Sequence, residues 1–281
     1  MQTTKIAICY DFDHTLSLED MQGYGLIQSF KMTPDQFWKE CREFEAACGS
    51  NYIMSYMYKI LEKCNQFKIA PTRKFFASTA RDIEYFKGVK TWFSRINNFA
   101  KEHGVELSHY IISSGLKEIV EGTPIARYFT QIFACEYCYN QDGIAFWPSQ
   151  TIDYTAKTQY LYRINKGILT PNDKRVNSYI PHELRPISFE NMIYIGDSET
   201  DIPAMKLIKT KGGTAIGVYE SNSDYYRALI NQARVDYIAK ADYTENSELT
   251  AIIKEIILSI YHKDNLKKIN LSQRGTPPIS E

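Results

Sequence analysis

The chain has 281 residues, 44% hydrophobic and 23% charged, with 33 basic and 33 acidic residues that cancel to a formal net charge of zero. This is an ordinary globular balance, long enough for one large domain or a domain with an insertion, and it excludes the global basic field expected of a nucleic-acid or anionic-membrane binder. Six cysteines are too sparse for a small disulfide scaffold, and no run approaches a membrane span or a signal peptide, so a reduced, soluble, cytoplasmic protein with no nucleic-acid or membrane partner is expected.

The first element is a buried strand over residues 5–10 that runs into Asp11-Phe12-Asp13-His14-Thr15. Period-2 geometry points Asp11 and Asp13 to one side of the strand's carboxyl end, the edge at which open α/β sheets bind ligands. Two carboxylates held together in a cleft need a cation, a shared proton or both. The pair suits a hard, oxygen-loving ion such as Mg2+, with one carboxylate as nucleophile and the other as acid/base. Alone, an Asp-x-Asp after a strand reads equally as a polar turn.

Residues 17–87 read as helical, with no convincing strand. Thr33-Pro34-Asp35-Gln36 is a helix start, with threonine as N-cap, proline at the first helical position and glutamine completing a capping box. Ile53, Met54, Met57, Ile60, Leu61 and Cys64 form an apolar stripe at helical spacing. From 88 onward helix and strand alternate: a helix over 89–102 stopped by His103-Gly104, a strand from Leu107 to Ser113, and a short helix opening at Gly115. A hairpin follows over 132–147 around Asp142-Gly143, then a helix from Thr155 to Lys166. Prolines at 171, 181 and 186 mark a surface loop over 168–190. Beyond it come a strand from Met192 to Ile195, a helix from Ile202 to Ile208, a strand from Thr214 to Val218, a helix from Ser223 to Arg234, a short strand from Val235 to Ile238 and an amphipathic helix from Glu248 to Tyr261. This alternation predicts an α/β fold with a parallel sheet covered on both faces. Residues 263–281 are polar and read as a disordered tail. Cys135 and Cys138 form a lone C-x-x-C with no second pair, so they read as structural thiols.

Three later stretches bear on the acidic pair. Ile112-Ser113-Ser114-Gly115 ends a strand in hydroxyls and opens a helix, where free N–H groups and a hydroxyl attract an anion; an ordinary serine N-cap reads as well. Lys157 sits in a first helical turn, where the helix dipole disfavours it, either on a solvated face or reaching an anion. Ile195-Gly196-Asp197-Ser198-Glu199-Thr200-Asp201 ends a strand in one acid, with a second four residues on. Asp197 would share the edge of Asp11 and Asp13, and Asp201 could support it from behind; read as structure alone, both cap the next helix.

In this order the stretches resemble the haloacid dehalogenase superfamily of phosphohydrolases: Asp-x-Asp-x-Thr, a strand ending in Ser or Thr, a Lys, then Gly-Asp-x-x-x-Asp. The match spans about 5 to 240, and the position of the helical block and the hairpin look most like the phosphoserine phosphatase branch. The resemblance implies a doubly wound, Rossmann-like parallel core over 1–16 and 88–262, with residues 17–87 as a small all-helical cap. It implies a phosphomonoester phosphatase acting on a small phosphorylated metabolite, with phosphoserine-like substrates included. Asp11 would be the nucleophile that forms an aspartyl-phosphate, Asp13 the acid/base, and Ser113 and Lys157 the groups that hold the phosphoryl oxygens. Mg2+ would be held by Asp11, the backbone carbonyl of Asp13, and Asp197, with Asp201 behind them. Thr15, Asp20, Ser114 and Gly115 would face the substrate.

Superfamily dehalogenases and phosphonate hydrolases lack the second aspartate, so Asp13 points to ester hydrolysis or phosphoryl transfer. Two departures bear on the substrate. His14 reads as a satisfied loop residue or as one touching the leaving group, and no arginine stands out to hold a serine carboxylate; Arg42, Arg73 and Arg81 read as surface charges. A phosphotransferase using the same intermediate and a catalytically silent binding protein of this fold are the competing readings.

Overall fold

The computed structural model describes residues 3–221 and 224–273. Its centre is β1 (Thr4–Tyr10), six of whose seven residues are buried. A strand covered on both faces needs no polar alternation, and its near-continuous apolar run follows from that. On one side β1 pairs in parallel with β2 (Val105–Leu116), and on the other with β5 (Met192–Gly196), in a register that sets Tyr10 opposite both Ile111 and Ile195. Outward from β2 lie β3 (Phe129–Tyr139) and β4 (Ala145–Gln150); outward from β5 lie β6 (Thr214–Tyr219) and β7 (Tyr237–Lys240). The order is β4-β3-β2-β1-β5-β6-β7, with every pairing parallel except that of β3 with β4. The chain leaves β1 toward one edge of the sheet and returns to β5 on its other flank. The loops after β1 and β5 therefore part and leave a crevice at their carboxyl ends.

Between β1 and β2 the chain forms α1 (Leu26–Ser29), α2 (Pro34–Cys48), α3 (Tyr52–Gln66), α4 (Arg73–Ser78) and α5 (Val89–Glu102). The capping box at α2 is present: the Thr33 hydroxyl accepts from the Gln36 N–H, and the Gln36 side chain accepts from the Thr33 N–H. On α3 the residues Ile53, Met57, Ile60 and Cys64 are buried as the spacing predicts, but Met54 faces outward and Leu61 is half-buried. Tyr56 belongs to the buried face instead, and its hydroxyl donates to the Ser114 carbonyl at 2.6 Å. The remaining helices are α6 (Lys117–Glu121), α7 (Ala156–Lys166), α8 (Ile202–Thr210), α9 (Asp224–Asn231) and α10 (Glu248–Gln273). Among the described residues no helix is long and apolar enough to cross a membrane.

Two sequence expectations are corrected. The helix placed at Gly115 begins only at Lys117, because β2 continues to Leu116 through a register shift against β3 between Ile112 and Leu116. The tail placed from 263 is helical as far as Gln273, and residues 274–281 lie outside the described residues. The polar character of 263–268 marks ties to the core rather than disorder. The Thr4 hydroxyl donates to Asp264 at 2.5 Å, Asp264 pairs with Lys268 at 2.8 Å, and Lys267 pairs with Glu190. The segment 168–190 carries only single 3-10 turns, as its prolines suggest. Buried Arg163 of α7 gathers it by donating to the carbonyls of Thr170, Pro171 and Asp173.

Candidate active site

Asp11 is the first residue beyond β1, and its N–H donates to the Ile195 carbonyl at 2.9 Å, so β5 fixes the exit of β1. One Asp11 oxygen, Oδ1, accepts from the Phe12 N–H at 2.7 Å; the other, Oδ2, accepts from Lys157 Nζ at 2.8 Å. Asp197 is the first residue beyond β5, and its Oδ1 accepts from the Thr15 hydroxyl at 2.9 Å. Asp201 is completely buried. Its Oδ1 accepts from Lys157 at 2.7 Å and from the Tyr194 hydroxyl at 2.7 Å, and its Oδ2 from the N–H groups of Asp197 and Ser198 at 3.2 Å each. Asp11, Asp197 and Asp201 thus present carboxylate oxygens that all lie within 4.8 Å of one another. The half-buried Asp13 carboxylate stands outside this trio and accepts from the Met21 N–H at 2.7 Å.

Ser113 and Ser114 sit differently from an N-cap pair. The Ser113 hydroxyl is fully buried and accepts from the Gly115 N–H at 2.9 Å, so that N–H is already engaged. Ser114 lines the crevice, and its buried hydroxyl oxygen has no hydrogen-bond partner. Gly115 packs against the turn Met21–Gly23: a Cβ there would lie 3.1 Å from Asp13 Oδ2 and 2.1 Å from Met21 Cε. His14 holds a left-handed backbone at φ 54°, and its Nε2 stands 3.3 Å from Asp20 Oδ1.

No family model matches the sequence. A protein from Borreliella burgdorferi, described as uncharacterized, is 28% identical over 284 residues that cover 91% of this chain and 98% of that one. Several solved structures superpose on nearly the whole chain. A phospho-aspartyl intermediate analogue of phosphoserine phosphatase covers 90% of this chain and 99% of its own, with a TM-score of 0.53 at 16% identity. A substrate-bound phosphoserine phosphatase complex covers the same shares, with 0.54 at 14%. A haloacid dehalogenase family hydrolase from Salmonella enterica serovar Typhi gives 0.57 at 15%, covering 89% of this chain and 70% of its own. The chain has the haloacid dehalogenase fold, in its phosphoserine-phosphatase-like form.

Within the haloacid dehalogenase fold, the electrostatics of this edge follow from crowding four acids around one buried lysine. Burial pushes the Asp11 carboxyl up to about 6, Asp201 adds to the rise, and Lys157 opposes both. Asp13 is raised well above the usual carboxylate range by burial and then by Asp20 and Asp11, and Asp197 by burial and then by Asp201 and Asp11. Burial alone would lower the Lys157 ammonium, but Asp11 and Asp201 outweigh it and keep the group charged. The hydrogen bond to Asp20 lifts His14 to about 9. Asp11 and Asp197 are close and desolvated, with Lys157 the one buried ammonium among the four acids, an oxygen donor set that fits a hard divalent cation. Asp201 is less available to an ion because it is completely buried and takes more than one donor on each oxygen, where each Asp11 oxygen takes one.

The crevice is a cavity of about 390 Å³ that joins Asp11, Asp13, His14, Asp20, Ser114 and Asp197 to side chains of the helical segment, Gln22, Trp38, Glu45, Asn51, Tyr52 and Tyr56. Each of these wall residues looks in sequence like an ordinary helix residue. Asn51 caps α3, and its amide also donates to Asp153, another lining residue, at 2.7 Å.

Gly196 allows close approach rather than an unusual turn. A Cβ on it would lie 2.5 Å from the Asp201 carboxylate carbon. Gly196→Ala must displace a carboxylate held by Lys157, Tyr194 and two backbone N–H groups. It is expected to cost about 1–3 kcal/mol, the usual penalty for overpacking, read as a lower urea midpoint. An unchanged midpoint would mean that Asp201 shifts freely.

Proposed function

We propose that the protein is a Mg2+-dependent phosphomonoester phosphatase that hydrolyses a small phosphorylated metabolite through an aspartyl-phosphate on Asp11, with residues 17–87 as the cap over the site. The observation that carries this reading is the difference between two neighbouring carboxylates. Asp11 is oriented by the Lys157 ammonium at 2.8 Å, whereas Asp13 has no lysine partner among the described contacts and sits beside Asp20 and Asp11, which favour its protonated form. A carboxyl whose protonated form is favoured, beside one oriented by a lysine, matches the division of labour between acid catalysis and nucleophilic attack.

Asp11 attacks phosphorus and the ester P–O bond breaks, while Asp13 gives its proton to the leaving oxygen. Asp13, now ionised, takes a proton from a water that attacks the phosphoryl group, and the Asp11–phosphorus bond breaks to release phosphate and restore both carboxyls. Asp11, Asp197 and the carbonyl of residue 13 would hold Mg2+, which when bound supplies positive charge beside the phosphoryl oxygens. The unpartnered Ser114 hydroxyl, at the cavity wall, is a donor available to those oxygens, while buried Lys157 holds Asp11 and Asp201. The test is phosphate release from phosphorylated amino acids, sugars, nucleotides and an aryl phosphate, with Mg2+ and with EDTA. Release that needs Mg2+ is expected; none from folded, Mg2+-loaded protein would overturn hydrolysis, and turnover only with an alcohol acceptor would make it a transferase.

A cation requirement also predicts a thermal signature. The Asp11 carboxyl lies near 6 in the folded chain, against about 3.9 in an unfolded one. The folded state therefore holds more protons between those values, and without a cation stability falls as pH rises through that window. Mg2+ binds the ionised form, so it should raise Tm more at pH 7.5 than at pH 4.5. An equal shift at both values would show that binding does not involve these carboxylates.

A further inference from the structure

We infer that the ester this cavity selects is the phosphate of a small amino alcohol, with an ammonium group at its far end and no carboxylate. The inference rests on the phosphatase reading of the site and concerns the rest of the cavity. Apart from the reacting acids and Asp20 beside Asp13, the cavity presents the carboxylates of Glu45 and Asp153, and none of the described residues lining it is a lysine or arginine. The basic side chain that does line it, His14, is paired with Asp20. Of the arginines that could have reached a substrate carboxylate, Arg73 instead pairs with Glu136 at 2.8 Å, Arg81 is exposed and does not line the cavity, and Arg42 is exposed outside the lining, where its charge reaches Tyr52 alongside those of Asp20 and Glu45. A carboxylate at this end would meet like charge with no lysine or arginine among the described lining residues to pair with it, which disfavours it.

Two further features favour a cation. Trp38 packs against Tyr52 and Tyr56 with ring centroids 6.1 and 6.0 Å apart, and all three rings line the cavity. Aromatic faces beside carboxylates attract ammonium groups by the ring quadrupole as well as by charge. Gln22, which also lines the cavity, is only 3% exposed, and its amide oxygen has no hydrogen-bond partner. A buried acceptor without a donor is costly, and an N–H of the ligand would satisfy it. Asp153 is held in place by Asn51 at 2.7 Å, so its charge is fixed in the lining before any ligand arrives. At about 390 Å³ the cavity suits a small ligand.

The experiment measures kcat/KM with Mg2+ for phosphoethanolamine, phosphocholine, phosphoserine, glycerol phosphate and an aryl phosphate. The amino-alcohol phosphates should exceed phosphoserine and glycerol phosphate by about tenfold or more, as expected for a charge discrimination of this kind. Preference for phosphoethanolamine over phosphocholine would assign the recognition to hydrogen bonds from the primary ammonium, and the reverse to the rings. In Glu45→Arg the ratio of phosphoethanolamine to phosphoserine turnover should fall about tenfold, mainly through KM. Turnover of the aryl phosphate with phosphoserine equal to or better than the amino-alcohol esters would overturn this inference and leave the phosphatase reading standing. Turnover of none of the five would overturn this inference, and no turnover of sugar and nucleotide phosphates either would take down the phosphatase reading with it.

Discussion

Lys157→Met will destabilise the protein by about 3–5 kcal/mol at pH 7.5 in EDTA, the cost of breaking a buried ion pair from one side. Methionine replaces the length and most of the volume of lysine, so packing is largely kept and the charge is what is lost. The ammonium is fully buried between Asp11 and Asp201, at 2.8 and 2.7 Å. Without it, two desolvated carboxylates face each other. The deficit should depend on pH with a definite sign. The lysine is held above its ordinary value in the folded state, so its stabilising contribution is fully present below about pH 10 and fades only above it. Below pH 6 the variant escapes part of its penalty, because the Asp11 carboxyl, near 6 even with its lysine partner, takes up a proton. Urea midpoints of the two proteins should therefore lie far apart at pH 7.5 and draw together toward pH 4.5. Equal midpoints at pH 7.5 would show that the lysine is not the counter-ion these acids depend on.

The sequence disclosed this edge because strands buried on both faces leave their polar residues only at the ends. β1 and β5 are apolar until they stop, so Asp11 and Asp197 stand out, and the parallel register that sets Tyr10 against Ile195 brings them together. Lys157 was legible as an anomaly, a cation in a first helical turn, but its partners were not. The distances to Asp11 and Asp201 follow from how α7 packs on the sheet, which no local pattern encodes. The same limit hid the cavity walls: Trp38 and Tyr52 look like members of an amphipathic stripe until tertiary packing turns them toward the acids. The end of α10 was misread for the opposite reason. Lysines and an aspartate at helical spacing look like solvated tail, yet Asp264 and Lys268 pair along the helix and reach Thr4 at the start of β1. Polar composition predicts exposure only when the partners are unknown.

Asp11→Asn will abolish phosphate release from every ester, by about a thousandfold or more, as removal of a nucleophile does, while leaving the fold in place. The amide is isosteric and its oxygen can keep one of the two acceptor roles Asp11 has now, toward the Phe12 N–H or toward Lys157, which retains Asp201 as its partner. Its nitrogen cannot attack phosphorus as a carboxylate does. Asp13→Asn removes a proton donor instead, and its effect should depend on the leaving group. An alkyl alkoxide needs the proton, and the loss should be about a hundredfold or more, within the range for general acid catalysis. An aryl oxide leaves with its charge stabilised by the ring, so its release should fall much less in the first half-reaction. The contrast separates the two roles on one plate: Asp11→Asn flat and near zero across esters, Asp13→Asn steep with leaving-group pKa. The same steep slope in both variants, or aryl phosphate turnover within tenfold of wild type in Asp11→Asn, would move the nucleophile elsewhere, because loss of the attacking group must cost every ester whatever its leaving group.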